Sequence, residues 1–178
     1  MKKIFFQILF FVAALNVSAQ KYLLEKGVII FFSDATIEDI KAENGKANSM
    51  FNTQTSDVAF SVPIREFQFD KKLMQQHFNE KYMESEKYPK ATFSGKMEGF
   101  DPAIKSVRQV KARGKLTIHG VATEVEIPGT IEVVGDKIMM KSKFMVKLED
   151  YKIKIPQLMW QNIAEQVEVT VEFSYKPQ

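Results

Sequence analysis

The stretch from residue 67 to residue 93 reads FQFDKKLMQQHFNEKYMESEKYPKATF, and it decides the fold. Its middle part has the apolar spacing of a short amphipathic helix, whereas its two ends alternate like β-strands, as does most of the remaining chain. One helix inserted into an antiparallel sheet predicts a closed barrel with the helix as a lid. No obvious catalytic set accompanies it, so we expect the barrel to hold a ligand rather than to transform one.

Alternation of apolar and polar residues with period two recurs along the chain. Leu116 and Ile118 share one strand face, for example, and Lys115 and Thr117 share the other. Such one-sided burial is typical of antiparallel strands with one face in solvent. Eight long strands of this kind predict an all-β antiparallel barrel with room for one small ligand. The predicted strands span residues 21–33, 37–51, 55–64, 90–100, 106–120, 122–134, 137–151 and 165–176.

The same alternation predicts which side chains point into the barrel, because successive residues of a strand face opposite sides. The residues predicted to face the interior are Phe60, Val62, Leu116, Ile118, Met140, Phe144, Val169 and Val171. The apolar parity changes before Phe67, which predicts a bulge or bend between Pro63 and Glu66.

The inserted helix is predicted to begin at Asp70, a good N-cap residue, and to continue to Phe78, with the following block reaching Met83. Its apolar side chains should cover one mouth of the barrel. Those expected to turn toward the interior are Leu73, Met74, Phe78 and Tyr82. A weaker helical stretch is predicted between Pro156 and Gln166.

Residues 1–19 have the features of a secretory signal peptide. Two lysines open the segment, an apolar run covers residues 4–15, and Val17-Ser18-Ala19 supplies the small residues of a cleavage site. The apolar run is too short to span a bilayer comfortably, which disfavours a membrane anchor. We therefore expect cleavage after Ala19 and one domain, residues 20–178, in a periplasmic or secreted protein.

Charge and composition argue against several classes of function. Removing Lys2 and Lys3 from the 25 Lys and Arg leaves 23 against 22 Asp and Glu, a net charge of +1. A chain so close to neutrality has little electrostatic attraction for nucleic acid. The chain has no cysteine, so we expect neither disulfides nor an acylated N-terminal cysteine. Core burial must therefore stabilise the fold.

Several motifs together resemble the YceI-like family of exported lipid-binding proteins, and they cover most of the chain after the leader. The motifs are FQFDKKLM at 67–74, HFNEKYMES at 77–85, KYPKATF at 87–93, GKLTIHGV at 114–121 and FMVKLEDYKI at 144–153, with the closing alternation after them. The resemblance implies a lipocalin-like, eight-stranded antiparallel barrel with an inserted helix. It also implies an isoprenoid-type lipid inside the barrel and a periplasmic or secreted location.

The opening strand departs from the family pattern. Many relatives have a D-x-x-H-S-x-I-x-F motif there, whereas this chain has LEKGVIIF. Lys26 and Gly27 stand where that pattern has His and Ser, so a polar contact from those positions to a ligand head group is not carried over. The resemblance therefore implies the barrel without implying the head group of its ligand.

Phe and Met are plentiful, at 15 and 9 residues, and two interpretations of them remain open. They could simply fill a core, or they could line an elongated apolar cavity, since both adapt to a flexible chain. The second interpretation predicts a set of lipid-binding residues. They are Phe31, Phe60, Val62, Phe67, Phe69, Leu73, Met74, Phe78, Tyr82, Phe93, Leu116, Ile118, Met140, Phe144, Val169 and Val171.

His77 is the residue that most invites an enzymatic interpretation. With Glu80 and Glu84 it has the spacing i, i+3, i+7, which could bring two carboxylates near an imidazole. A metal site needs three or four converging ligands, however, and His119, the other histidine, falls on a polar strand face where we expect it in solvent. His77 shares its face with Leu73 and is predicted to be a packing residue. We expect no metal, no cofactor and no enzymatic activity.

Four lysines form a stripe along one predicted strand: Lys137, Lys141, Lys143 and Lys147. The favoured interpretation is a solvated face that protects a sheet edge. Transient contact with an anionic membrane is an alternative. The sequence as a whole predicts an exported barrel that holds an isoprenoid or other apolar lipid. The alternatives are an interaction or stress protein with a filled interior, and a metal-dependent enzyme centred on His77.

Overall fold

The computed structural model describes residues 21–34, 39–155 and 164–178. Ten strands in this part of the chain form one sheet. The strands are β1 (Lys21–Ser33), β2 (Ile40–Asn44), β3 (Asn48–Asn52), β4 (Asp57–Pro63), β5 (Gln68–Phe69), β6 (Lys90–Glu98), β7 (Arg108–Ile118), β8 (Val121–Val134), β9 (Lys137–Lys147) and β10 (Gln166–Pro177). The predicted leader and residues 156–163 of the weak helical prediction lie outside the described residues.

The sheet closes into an antiparallel barrel. Its strands follow the order β10-β9-β8-β7-β6-β4-β3-β1, and β1 pairs in turn with β10. β2 and β3 pair with different halves of β1 and together act as one bent strand, so the barrel has eight strands, as predicted. Closure pairs the first and last strands of the barrel, β1 and β10, with each other.

The wall bends where β2 meets β3 and where β4 meets β5. A 3-10 turn, Ile64–Glu66, separates β4 from β5, which confirms the predicted bend. Buried Asn44 joins the two bends, because its Nδ2 donates to the Pro63 carbonyl at 2.8 Å and its Oδ1 accepts from the Lys46 amide at 2.8 Å. With both ends of its amide bonded, Asn44 holds the two bends side by side.

The inserted helix covers one end of the barrel. Helix α1 spans Lys72–His77 and continues as one π-helical turn, Phe78–Tyr82. In that turn the Met83 amide donates to the Phe78 carbonyl at 2.8 Å. We call residues 72–83 the lid, and the barrel end beneath it the lid end.

The helix begins one residue later than predicted, because its N-cap is Lys71 instead of Asp70. Lys71 occupies the N-cap position with φ −109° and ψ 120°, and no side chain caps the helix there. The physical reason lies in β5: Phe69 still pairs with Ala42, so the chain must bend at Asp70 and Lys71 before the helix can begin.

The predicted strand parity is confirmed. All eight residues predicted to face the interior line an internal cavity, and Val62, Leu116, Met140 and Val171 among them are buried. The register explains this agreement, since one buried face specifies the pairing of every strand in a barrel.

The interpretation that the lysine stripe protects a sheet edge is wrong for Lys137 and Lys141, which lie within the β8–β9 ladder, whereas Lys143 and Lys147 lie on the part of β9 beyond the end of that ladder. β9 lies between β8 and β10 in the closed wall, and its lysines pair with carboxylates. The pairs are Lys137–Glu25, Lys141–Glu172, Lys143–Glu168 and Lys147–Glu149. Exposed pairs of this kind contribute little stability. They do neutralise the stripe, which weakens the alternative of attraction to an anionic membrane.

The β8–β9 ladder is short. It joins Gly129–Val134 to Lys137–Ser142, whereas the first half of β8 pairs with β7. A strap, residues 148–153, follows β9 and contains the 3-10 turn Glu149–Tyr151, so the strand predicted over 137–151 ends earlier than expected. The strap lies against the first half of β8, where Thr123 hydrogen-bonds to the Tyr151 side chain.

The end opposite the lid is closed by aromatic packing. Phe51 is completely buried and meets Phe100 edge-on, with ring centroids 5.0 Å apart. Tyr175 is equally buried, and its hydroxyl lies 2.6 Å from Ser49 Oγ. Because Ser49 Oγ donates to the Ala59 carbonyl at 2.8 Å, the Tyr175 hydroxyl is the donor to Ser49. The larger internal space therefore lies toward the lid end.

Candidate functional site

An apolar cavity of about 300 Å³ lies inside the barrel beneath the lid, and we call it the main cavity. Strands supply its walls because alternate residues point inward, and the lid and the strap supply its cover. None of the described residues that line it is Asp, Glu, Lys or Arg. The volume is at the lower limit of ordinary ligand pockets, which occupy roughly 300–1,000 Å³. The site therefore suits a small or slender apolar ligand.

Most of the residues predicted to bind lipid line this cavity. They are Phe31, Phe60, Val62, Phe67, Phe69, Met74, Phe78, Tyr82, Leu116, Ile118, Phe144, Val169 and Val171. Their contact with a lipid stays a prediction. Their position shows that the strand pattern and the helix pattern converge on one space.

Three of the predicted residues lie elsewhere. Leu73 has 62% of its surface exposed, because α1 turns Met74 and Phe78 inward and leaves Leu73 on its outer side. The prediction that Leu73 faces the cavity is therefore wrong. Phe93 and Met140 are buried deeper in the barrel, where they line a second cavity of about 60 Å³ instead of the main one.

Other lining residues were missed from the sequence. They are Ile29, Ser33, Ile40, Ile64, His77, Met83, Ala91, Val146, Leu148, Ile153 and Val167. Strand parity could have found Val146, which shares its face with Phe144, and Val167, which shares its face with Val169. Met83 and Ile153 follow no strand period, since the folding of the lid and of the strap brings them to the cavity.

An aromatic cluster joins the lid to the barrel wall. Phe78 from the lid stacks on Phe31 of β1, with centroids 5.4 Å apart and an interplanar angle of 21°. Phe67 and Phe69 also contact Phe31, at 5.4 and 5.6 Å. Aromatic pairs in these geometries contribute roughly 0.5–1.5 kcal/mol beyond the burial of their surface. The cluster therefore fixes the lid over the main cavity with apolar contacts alone.

Among the described residues, three polar side chains line the main cavity: Ser33, His77 and Tyr82. Ser33 Oγ accepts a hydrogen bond from the Ala164 amide at 3.0 Å. The Tyr82 hydroxyl is protonated at neutral pH, as in an ordinary tyrosine, and burial raises its pKa further, so it can donate a hydrogen bond. These groups offer hydrogen bonds to a neutral head group.

The residues proposed for a metal site do not converge. Glu80 accepts hydrogen bonds from Gln76 Nε2 at 3.1 and 3.2 Å, and Glu84 bonds to His119, so neither carboxylate meets His77. In the described part of the chain, no three His, Cys, Asp or Glu side chains gather closely enough to hold a metal ion. His77 is half-buried at the wall of the cavity, as its packing role predicts.

Comparison with known proteins assigns the family. A family model of the YceI-like domain matches residues 27–175. The chain belongs to the YceI family. Three solved structures share the fold of this YceI-like domain at low sequence identity, and no curated protein sequence matches the chain.

The three structures come from different bacteria. A polyisoprenoid binding domain from Saccharophagus degradans has a TM-score of 0.76 and 16% identity, covering 90% of this chain and 99% of its own. Burkholderia cenocepacia BcnA has a TM-score of 0.70 and 16% identity, covering 83% and 95%. The Campylobacter jejuni YCEI protein has a TM-score of 0.59 and 17% identity, covering 100% and 99%.

The opening-strand departure of this YceI-like domain lies away from the main cavity. Lys26 is exposed beside a register shift between β1 and β10, and Gly27 packs against Phe173. A Cβ at Gly27 would lie 2.8 Å from the Phe173 ring, so glycine is needed for this packing. Neither position lines the main cavity, so the departure leaves its lining unchanged.

His119 is not the solvent-exposed residue that the sequence predicts. Its side chain is only 11% exposed, Nε2 lies 2.9 Å from Glu84 Oε2, and Nδ1 lies 3.2 Å from the Tyr151 carbonyl. The Tyr88 ring meets it edge-on at 4.5 Å. His119 ends the strand at the β7–β8 turn with φ 50°, so it leaves the strand alternation that placed it in solvent. We call Glu84, His119 and Tyr151 the latch, since they join the segment after the lid, the β7–β8 turn and the strap.

Within residues 21–34, 39–155 and 164–178, no helix has the length and apolar character needed to cross a membrane.

Proposed function

We propose that this YceI-like protein holds a neutral isoprenoid-type lipid in its main cavity. The observation that carries the proposal is a cavity of about 300 Å³ whose described lining has no Asp, Glu, Lys or Arg. A structural relative described as a polyisoprenoid binding domain supports the same ligand class. The polar groups of Ser33, His77 and Tyr82 would then meet the head group.

The size of the cavity limits the ligand. An engineered protein cavity of about 150 Å³ accepts benzene, so about 300 Å³ encloses on the order of a dozen carbon atoms. Burying that many apolar groups supplies about 10 kcal/mol, at roughly 0.8 kcal/mol for each CH₂. Ordering the chain and the lid offsets part of this gain. A short prenyl chain would therefore bind without any charged contact.

The alternatives fit the cavity less well. A barrel with a filled interior, as the interaction-protein hypothesis requires, would not keep a lined space of this size. An enzyme centred on His77 would need partners close to its ring, and Glu80 and Glu84 bond elsewhere. The net charge, +3 for the whole sequence and +1 for the chain expected after cleavage, gives no support to a nucleic-acid partner. We therefore propose a carrier or storage role without catalysis.

Export forms a second part of the proposal. The leader pattern of residues 1–19 supports cleavage after Ala19 and a periplasmic or secreted carrier. N-terminal sequencing of protein exported by its native host should begin at Gln20. A retained leader would contradict this part and leave the ligand proposal standing.

The ligand proposal is tested by mass spectrometry of an organic extract from the purified protein. We expect a prenyl lipid in near-stoichiometric amount, and delipidated protein should rebind farnesol in a fluorescence competition assay. An extraction of buffer taken through the same column is the control. Protein that yields no lipid and binds neither farnesol nor geraniol would contradict the proposal.

A further inference from the structure

The main cavity and the second cavity share part of their lining. Phe60, Phe144 and Val171 line both, so these three side chains separate the space beneath the lid from the space deeper in the barrel. They come from β4, β9 and β10, and they project into the barrel from its facing walls. We call them the partition.

Phe60 is held in place by its neighbours. Its ring stacks on Phe93, with centroids 5.2 Å apart and an interplanar angle of 15°, and meets Phe173 edge-on at 6.1 Å. Phe60 and Phe93 are also cross-strand partners in the β4–β6 ladder. Phe144 pairs with Val169 in the β9–β10 ladder. The partition is therefore built from fixed strand positions, independently of the lid.

The second cavity beyond the partition is apolar and is too small to hold a ligand by itself. It has about 60 Å³, and Ala112 and Met140 contribute to its wall. By the proportion used for benzene, such a space takes only two or three carbon atoms. Because Phe60 and Phe144 line both spaces, shortening either side chain would make the second cavity an extension of the main one.

We propose that the partition sets the length of the chain that this protein accepts. The inference rests on the proposed lipid-binding function and deepens it. With the partition closed, the protein encloses a chain of about a dozen carbons, and a longer chain must leave part of its apolar surface outside. Replacing either phenylalanine with a smaller side chain joins the two cavities, so that the protein accepts a longer lipid chain. Phe60 and Phe144 are thus specificity-determining residues.

The test compares the affinities of geraniol, farnesol and geranylgeraniol in the same competition assay. Phe60→Leu and Phe144→Leu each shorten one partition side chain and keep it apolar. We expect the preference for farnesol over geraniol to rise about tenfold in either variant, because geraniol already fits the main cavity whereas the longer farnesol then buries a few more carbons. Adding Ala112→Met to Phe60→Leu refills the second cavity and should reverse the gain.

Phe51→Leu is the matched control, since Phe51 is a completely buried phenylalanine that lines neither cavity. It should lower the melting temperature and leave the order of the three alcohols unchanged. Thermal melts of all variants check that each is folded, and two independent partition variants guard against one that is not.

The outcomes separate this inference from the proposed function. Wild-type protein that binds the alcohols, with partition variants that bind them in an unchanged order, overturns the partition alone. The same conclusion follows if Phe51→Leu changes the order as much as Phe60→Leu does. Wild-type protein that binds none of the three alcohols overturns both the proposed function and the partition.

Discussion

His119 and Glu84 are direct partners, with Nε2 of the imidazole 2.9 Å from Oε2 of the carboxylate. Both residues have left-handed backbone, at φ 50° and 41°, which costs on the order of 1 kcal/mol for a side chain with a Cβ. The neighbouring contacts must offset this cost. Gly120 permits them, because a Cβ there would lie 2.4 Å from the Tyr88 ring. The pair therefore connects the segment after the lid to the β7–β8 turn.

The latch should hold the segment that follows the lid against the β7–β8 turn. Glu84→Ala removes the acceptor for His119 Nε2, so the turn whose amides at Lys87 and Tyr88 donate to the Glu84 carbonyl should open more often. We expect those amides to exchange with solvent about tenfold faster, corresponding to roughly 1.4 kcal/mol of lost local stability. Amide hydrogen exchange measured by NMR checks the prediction.

Glu86→Ala is the control for that experiment. Glu86 lies two residues further on and pairs with Arg65 at 2.8 Å, but its side chain is 90% exposed. A pair in solvent contributes little, so exchange at Tyr88 should not change. Equal acceleration in the two variants would show that the latch does not hold this turn.

Substitutions at two lid residues test whether the inner side of the lid retains the ligand. Phe78 lines the main cavity and stacks on Phe31, whereas Leu73, five residues earlier, is 62% exposed. Phe78→Ala should weaken farnesol binding by about tenfold or more, since one aromatic contact is worth roughly 1.5–3 kcal/mol. The melting temperature should fall by only a few degrees because the strands keep their packing.

Leu73→Ala is the matched control in the lid, and we expect it to leave both farnesol affinity and melting temperature unchanged. Competition binding and thermal melts on the same samples check the two variants. A loss of affinity from Leu73→Ala equal to that from Phe78→Ala would mean that the lid binds its ligand on the outer side.

Adjacent residues of β9 test the apolar character of the main cavity. Phe144 points inward and lines it, and Met145 points outward with 54% of its surface exposed. Phe144→Lys places an unpaired charge in an apolar space, which is costly. We expect the variant to lose extractable lipid and to melt at least several degrees lower. Met145→Lys should retain the lipid and stay within about 0.5 kcal/mol of wild-type stability.

A charge at Met140 tests the deeper part of the barrel interior rather than the main cavity. Met140 is buried against the second cavity, below the partition. We therefore expect Met140→Lys to destabilise the whole barrel rather than to displace a lipid directly. Full retention of lipid in Phe144→Lys would contradict the apolar site.

Tyr175 should make the barrel less stable as the pH rises into the alkaline range. Burial raises the pKa of Tyr175, against a smaller lowering from its hydrogen bond with Ser49. Below pH about 10, the ordinary tyrosine value, both folded and unfolded chains keep the phenolic proton, and the contribution to stability is complete. As the pH rises further, the unfolded chain ionises while the folded chain does not, so unfolding is favoured.

Tyr175→Phe removes this group and checks the sign of the effect. The variant should be less stable at pH 7 by about 0.5–1.5 kcal/mol, the usual worth of one hydrogen bond. Its free energy of unfolding should fall less steeply than that of wild type as the pH passes 10. Urea titrations across this range make the measurement, and parallel curves for the two proteins would rule out Tyr175 as a source of the alkaline loss.

Much of the barrel could be predicted from the sequence, because a strand in a one-sided wall repeats its environment every second residue. Val169 and Val171 face inward for the same reason that Glu172 is exposed. The bend after Pro63 could also be predicted from the sequence, because the apolar parity changes there. Most of the cavity lining followed from these local patterns, along with the family.

The wrong predictions concern residues that do not follow the two-residue period of a strand. His119 sits on the polar parity of β7, but the turn carries its ring inward to Glu84 and Tyr151. Leu73 has an apolar side chain on a short helix, and only the direction in which α1 docks leaves it in solvent. Neither residue had a local signal for its position.

The all-β class, the inward faces of the strands and the family could be predicted from local patterns, because side-chain period and motif are properties of neighbouring residues. The way β2, β4 and their bends meet at Asn44, the formation of the latch and the place of the partition follow from the closed barrel. Those features depend on contacts between residues far apart in the chain. Their distances and volumes are set only when the barrel closes.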